Sequence, residues 1–516
     1  MTGRDGILPS LWQTTTNAYR SSGPSSTDRF DVVIAGAGIT GITLALLLQK
    51  AGKQCVILEA QSVGFGTTGG TTAHLNTLLD VPYTTLIKNF GKENATRVAN
   101  AAKSAIALFR DHVKEYSIDC EFQEQFGYLF SQDDNQTKEL EKILDACVEV
   151  GLDASYTNTI PIELPFKKAI QVEGQAKIHP LRYVNALADE FVRIGGVIVE
   201  NCRVIAAHKG AEKDTVSVET STGDFSASFM VFATHIPTGV NLLHLRCAPY
   251  RSYAMAVKLA DDQYPNGLVY DMYDPYHYYR SQIIDGEKFL IVGGEDHRTG
   301  DESNTNGCFL KLESHIRSHF NVKEIANRWS SQYFEPADGL PYIGHLPGNP
   351  ENVLVATGYG GNGITYSHVA ALVIKSIVLG EESEYTSLFT PGRLKPVAGF
   401  SEFVKHNLEV VNYMVGGWLG QDQLPEISGL GAGEAKVVKY EKESIALYKD
   451  ENHVLHAVNP ACTHLKCSVN WNAAEKSWDC PCHGARYSYE GKVITGPATK
   501  DLDQVEIRQA VEEKEK

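Results

Sequence analysis

The sequence predicts an α/β domain followed by a small all-β domain (fold class α/β + β). Three observations predict it. A strand, glycine turn, helix and second strand succeed one another over residues 30–59. A second glycine-rich turn separates an apolar run from a helix-length segment near residue 358. The tail breaks into short strand-like runs and gathers four cysteines and two histidines between Cys462 and Ala485.

In "FDVVIAGAGITGITLALLLQKAGKQCVILEA", Phe30 to Ala35 reads as a buried strand and Ile39 to Ala51 as a helix that stops at Gly52. The spacing assigns Gly36 to the tight turn, Gly38 to close approach of backbone to a pyrophosphate, and Gly41 to packing of helix on strand. The phosphates then meet the helix N-terminus at Ile39 and Thr40, where unpaired N–H groups and the helix dipole favour anions. Glu59, closing the second strand, is placed to accept hydrogen bonds from a ribose. This motif alone leaves open which dinucleotide binds.

Further along, "QSVGFGTTGGTTAHLN" offers backbone approach and the hydroxyls of Thr67, Thr68 and Thr72. "FMVFATHIP" is another strand running into a turn. "FEPADGLPYIG" and "NVLVATGYGGNGITYS" set a glycine turn between strand and helix. Together with "IHPLRYVNALA" and "YYRSQIIDGEKFLIVGGEDH", this combination resembles the FAD-dependent oxidoreductases of the D-amino-acid oxidase and glycine oxidase type (the DAO family), over about Asp31 to Lys395. The resemblance implies a Rossmann-like FAD-binding domain with an interleaved antiparallel-sheet substrate domain. It also implies FAD contacts at Gly358, Gly360, Gly361, Gly363, Ile364 and Thr365. Some relatives attach flavin covalently to a histidine near His74, but the local pattern here differs from theirs, which argues against attachment.

Enzymes of this family remove hydride from carbon next to nitrogen, with the cofactor supplying the chemistry and the protein the orientation. Amino-acid-oxidising relatives often place an arginine before the "DGLP" element to clamp a carboxylate. Here Gln332, Tyr333 and Phe334 occupy that stretch, which disfavours a standard amino acid. Arg251 and Arg280 are the candidates to replace the clamp. The aromatic run "YDMYDPYHYYR" is a candidate wall for an amine.

"TPGRLKPVAGF" concentrates proline and glycine and marks a boundary. The expected organisation is an extension over 1–29, the oxidoreductase over 30–395, a linker helix over 396–423, the β domain over 424–510 and a charged tail over 511–516. A β domain this small benefits from a metal or disulfide staple. Cys462 with His464 and Cys480 with His483 form two short ligand pairs, which suit tetrahedral zinc or a [2Fe-2S] cluster with two histidine ligands. Cys467 and Cys482 can join the two loops if their geometry permits.

The pattern CTHLxC…CPCHG resembles the Rieske family, in its cytochrome bc1-like branch. That resemblance implies cluster ligands at Cys462, His464, Cys480 and His483, a Cys467–Cys482 disulfide, and a proline-bearing loop at "TGPA" (Thr495 to Ala498). High-potential members carry a serine after "CHG", where this chain has Ala485, while their nearby tyrosine is retained as Tyr487. Losing a hydrogen bond to the sulfurs implies a potential below that of the quinol-oxidising members, and Lys466 in place of a glycine acts in the opposite direction. A redox titration checks the net sign: a value matching the high-potential members contradicts it.

The reading is a FAD-dependent dehydrogenase of an amine-like small molecule that discharges through its fused cluster to an external one-electron partner such as a ferredoxin, cytochrome or quinone. One alternative runs in reverse, with reduced ferredoxin charging the cluster; the sequence shows no second GxGxxG unit for NAD(P)H. Another is an electron-transfer or redox-sensing protein without turnover. The net charge of -16 gives no reason to expect nucleic acid. No apolar run is long enough to span a bilayer, and the start lacks a signal-like apolar stretch, so cytoplasmic residence is the expectation. The six scattered cysteines read as buried thiols.

Overall fold

The computed structural model describes residues 5–21, 30–393, 410, 413, 422–423, 430–440 and 443–506. The linker helix expected over 396–423 and the tail over 511–516 therefore lie outside the described residues, apart from Val410, Tyr413 and the short strand Asp422–Gln423.

Phe30–Ala35 is the centre of a parallel set. It pairs with Cys55–Leu58 on one side and Phe225–Phe232 on the other, and Val353–Thr357 continues the set beyond Phe225–Phe232. Val32, Val33 and Ile34 are fully buried, as in a strand covered on both faces. The helix Ile39–Lys50 is apolar around most of its circumference, burying Ile42, Leu44, Ala45, Leu46 and Leu48. The helix Gly363–Leu379 is of the same kind and stops at Gly380 in the left-handed conformation. Because the four strands run the same way, Ala35, Leu58, Phe232 and Thr357 all end at one edge. Ligands of α/β sheets bind at that edge.

The chain leaves this sheet repeatedly to build a second, nine-stranded one, in which Cys247–Leu259 lies between Val322–Pro336 and Glu287–Arg298. The ladder between Cys247–Leu259 and Glu287–Arg298 slips by one residue: Arg251 opposes His297, but Tyr253 opposes Gly294. The extra residue makes a bulge at Glu295 and Asp296, where Glu295 has φ +57°. Bulges bend a strand and re-aim its side chains.

C-terminal to these, Ala435–Tyr440, Glu443–Lys449 and Leu455–Val458 form an antiparallel meander. Asn470–Asn472, Ser477–Asp479, Arg486–Ser488 and Val493–Thr495 form a second small sheet. Trp478, Tyr487 and Val458 pack between them.

A buried ionic seam joins the small domain to the nine-stranded sheet. Arg251, wholly buried, donates to Ser330 Oγ at 2.7 Å and to Glu475 Oε1 at 3.3 Å. Arg486, equally buried, donates to Asp479 Oδ1 at 3.0 Å. Residues 5–21 close the seam: the Ile7 N–H donates to Glu475 Oε2 at 2.7 Å, and Arg486 reaches the Asp5 carbonyl. Trp12 is buried with its Nε1–H on the Thr71 carbonyl.

The six scattered cysteines are buried, and burial pushes Cys55, Cys120, Cys147 and Cys247 up to about 12. Burial thus disfavours the reactive thiolate form of these four at neutral pH. Among the described residues, no helix is long and apolar enough to cross a membrane.

Candidate functional site

One long cavity opens where the parallel strands end. Gly36, Gly38, Ile39, Thr40, Glu59, Thr67, Thr68, Thr72, Gly360, Gly361, Gly363 and Ile364 all line it. Gly41, Gly358 and Thr365 stand behind its wall. A Cβ on Gly41 would sit 1.9 Å from the Gly36 carbonyl oxygen, so the helix packs on the turn without room for a methyl. Gly358 has φ +73° against Cys247, and Thr365 Oγ1 donates to the Asn76 carbonyl at 3.1 Å.

The residues fit a dinucleotide. Gly38 caps the helix without a side-chain cap bond of its own and lines the cavity with Ile39 and Thr40, so the positive end of the helix is presented to an anion there. Thr68 Oγ1 accepts from the Ile39 N–H at 3.1 Å. Glu59 Oε2 accepts from the Ala37 N–H at 2.8 Å and Oε1 from the Gln61 N–H at 2.9 Å, which fixes the carboxylate at the strand end. Burial nevertheless raises its pKa.

The far end of the cavity is lined by tyrosines and carboxylates: Tyr270, Tyr276, Tyr278 and Tyr333 with Asp80 and Asp296. Tyr333 donates to Asp296 Oδ2 at 2.9 Å. Burial pushes Asp296 up to about 7, with the Asp80 charge adding to the effect. Asn362 and Tyr276 hydrogen-bond the Asp80 carboxylate. His74 Nδ1 pairs with Tyr270 OH at 2.8 Å, and burial holds the ring well below the usual histidine range.

Arg251 and Arg280 do not line this cavity. The Arg251 guanidinium is committed to the ionic seam. Arg280, wholly buried, donates to the carbonyls of Ala73 and Ile178 and to Gln282 Oε1 at 2.6 to 3.0 Å. Of the aromatic run, Tyr270, Tyr276 and Tyr278 face the cavity, while Tyr279 is buried in the core behind it. Asp296 was not singled out from the sequence. Its signal is the "GGED" that interrupts an apolar strand, because two glycines before paired acids are a bulge signature.

The second site lies on two matching loops. The Cys462 N–H donates to the Cys467 carbonyl and the Lys466 N–H to the Cys462 carbonyl; Cys480, Ala485 and Gly484 repeat this pattern. Lys466 and Gly484 hold equivalent left-handed positions, at φ +63° and +74°, so a lysine occupies a conformation that favours glycine. The Cys467–Cys482 disulfide ties the loops together, with S–S 2.02 Å and Cα–Cα 6.5 Å.

Cys462 and Cys480 lie within hydrogen-bond reach, and the Cys480 thiol holds Cys462 down at about 7. The rings of His464 and His483 are 5.0 Å apart and nearly perpendicular. Among the described residues, the buried His464 Nδ1 has no hydrogen-bond partner, which fits a role as a metal ligand. Tyr487 OH lies 3.2 Å from Cys462 Sγ, and Ala485 is buried beside it. Two thiols and two imidazoles so arranged fit a [2Fe-2S] cluster.

The two sites share a wall. Gln332 and Phe334 line the cavity, and Gln332 Nε2 donates to the Gly484 carbonyl at 2.9 Å. A Cβ on Gly484 would come within 2.8 Å of both Gln332 and Pro249, so only glycine lets the loop dock this closely. His464 Nε2 lies 3.1 Å from the Gly239 carbonyl, with the His244 ring 4.6 Å from its own. Thr495 and Gly496, from the proline-bearing loop, also reach the cavity.

Comparisons with known proteins agree with this geometry. Residues 31–376 match the family model described as FAD dependent oxidoreductase, and residues 422–506 match the Rieske [2Fe-2S] domain. The chain is 33% identical to "Putative Rieske 2Fe-2S iron-sulfur protein YhfW" of Bacillus subtilis (strain 168), over 96% of this chain and 97% of that one. It is 23% identical to gamma-glutamylputrescine oxidoreductase of Escherichia coli (strain K12), over 69% of this chain and 85% of that one. Glycine oxidase from Geobacillus kaustophilus shares the fold at TM-score 0.60 and 18% identity, covering 71% of this chain and all of that one. The chain therefore belongs to the FAD dependent oxidoreductase family, binding FAD in its α/β domain and a [2Fe-2S] cluster in the Rieske domain that follows.

Proposed function

We propose that this chain is a dehydrogenase of amine-like small molecules that passes the resulting electrons through its own Rieske cluster to an external one-electron acceptor. The observation that carries the reading is the shared wall, in which Gln332 touches the cavity on one side and the Gly484 loop on the other. FAD, when bound, takes hydride from carbon beside nitrogen and can release the electrons singly to an iron–sulfur centre.

The chain's own residues would divide the work. Gly36, Gly38, Ile39, Thr40 and Gly41 would hold the pyrophosphate, Glu59 the ribose, and Thr67, Thr68, Thr72 with the 358–365 turn the flavin half. Cys462, His464, Cys480 and His483 would hold the cluster. The far end of the cavity offers carboxylates and phenols in place of the cationic clamp that a carboxylate substrate would need, which supports an amine. So does the similarity to gamma-glutamylputrescine oxidoreductase. A cavity with buried polar groups suits turnover, which a simple electron carrier does not require.

An anaerobic titration against secondary amines, N-methyl amino acids and D-amino acids, read by flavin absorbance and cluster EPR, tests the proposal. The expected result is that one amine bleaches the flavin and the cluster signal grows with it. Reduction of both centres by dithionite alone would overturn the substrate class.

A further inference from the structure

We infer that Asp296 is the anchor for a second, protonated nitrogen of the substrate, so that the substrate is a diamine oxidised at one nitrogen and held by the other. The inference rests on the amine reading above and deepens it.

The bulge makes Asp296 special. Glu295, a non-glycine residue at φ +57°, lets the strand Glu287–Arg298 slip by one residue against Cys247–Leu259, and Asp296 reaches the cavity from that irregular position. Backbone strain of this kind is found where a side chain must be aimed. Oδ2 accepts from Tyr333 and the Ser252 hydroxyl also hydrogen-bonds the carboxylate, while Oδ1 is buried with no partner at standard hydrogen-bond geometry among the described residues. An unfilled carboxylate oxygen in a cavity walled by Tyr276, Tyr278 and Tyr333 suits an ammonium group, which the oxygen pairs with and the aromatic faces attract. Gly293 makes room for the Tyr278 ring that walls the cavity: a Cβ there would meet the ring at 2.1 Å.

Chemistry then asks for a second nitrogen. Hydride leaves carbon only if the adjacent nitrogen has a lone pair to form the C=N bond, and a nitrogen held as ammonium has none. A carboxylate that keeps a cation paired while hydride leaves therefore holds a nitrogen other than the one oxidised, whereas one that took the proton would serve monoamines and diamines alike. Asp80, against the Gly361 turn, is the carboxylate of the far end which stands nearer the proposed flavin contacts.

The groups facing Asp296 set its pH response. They are Ser252 from the flanking strand Cys247–Leu259, Tyr333 from the strand beyond it, Tyr278 from the strand on the other side, Tyr276 beside it, the Asp80 charge and His277. Burial holds the carboxyl at about 7. It must ionise to bind a cation, so diamine affinity should rise as pH increases through that value. Tyr333→Phe removes a donor to the ionised form and should move the midpoint upward.

The test compares diaminobutane with butylamine, each with its N-methyl derivative, in anaerobic stopped-flow on the holoenzyme, with pH profiles of the apparent affinity. Asp296→Asn should reduce the diamine-to-monoamine preference roughly 10- to 100-fold. Glu287→Gln, altered at an exposed acid of the same strand that does not line the cavity, should keep the preference. Equal rates for diamine and monoamine in the native protein, or an unchanged preference in Asp296→Asn with an unshifted midpoint in Tyr333→Phe, would overturn the inference while leaving the amine reading intact. If no amine bleaches a flavin that dithionite reduces, the amine reading falls and this inference falls with it.

Discussion

Gly41→Ala is expected to yield protein that loses its FAD. The added methyl would lie 1.9 Å from the Gly36 carbonyl oxygen, 3.1 Å from its carbon and 3.3 Å from Ile34 Cγ2. None of these atoms is the loose end of a flexible side chain. The only relief is for the helix Ile39–Lys50 to lift off the turn, carrying its N-terminal N–H groups away from the pyrophosphate position. Overpacking of this kind costs about 1–3 kcal/mol, which corresponds to roughly 5- to 150-fold in FAD affinity if the strain falls on the bound state. The FAD-to-protein absorbance ratio after gel filtration measures the loss. Gly392→Ala, whose methyl meets nothing closer than 3.8 Å, serves as the control. A full complement of FAD in Gly41→Ala would show that the turn is not the phosphate site.

Arg251→Met is expected to destabilise the protein by about 3–5 kcal/mol, the usual consequence of stranding a buried charge. Without Arg251, Glu475 loses a buried guanidinium partner, though the Ser330 hydroxyl and the Ile7 N–H remain, and Asp479 loses a guanidinium neighbour while Arg486 stays. The penalty should appear as a lower thermal midpoint and as protease cleavage between the domains. Adding Glu475→Gln should recover part of it, since the two residues act as a pair. If Arg251 instead clamped a substrate anion, the variant would melt normally and show only a raised KM.

That contrast marks what the sequence could carry. The βαβ unit was legible because its glycines and apolar runs act locally. The loops bearing Cys462, His464, Cys480 and His483 were legible for the same reason, since their spacing places each pair on one turn. Arg251 was not legible: its partners Glu475 and Asp479 lie more than two hundred positions away, and a buried ion pair leaves no local pattern. Asp296 was hidden by a one-residue slip that depends on the neighbouring strand. Lys466 shows the reverse, a departure visible in the sequence whose left-handed backbone emerges only from the folded loop.

The central claim is that flavin and cluster within one molecule exchange electrons. Rapid freeze-quench EPR, started by mixing the holoenzyme with a bleaching amine or, failing one, by photoreducing the flavin, tests it most directly. The cluster signal should grow together with a flavin radical signal, as the two-electron-reduced flavin gives up one electron, with a rate independent of protein concentration. Growth that scales with protein concentration, or a reduced flavin beside a cluster that stays oxidised, would contradict it.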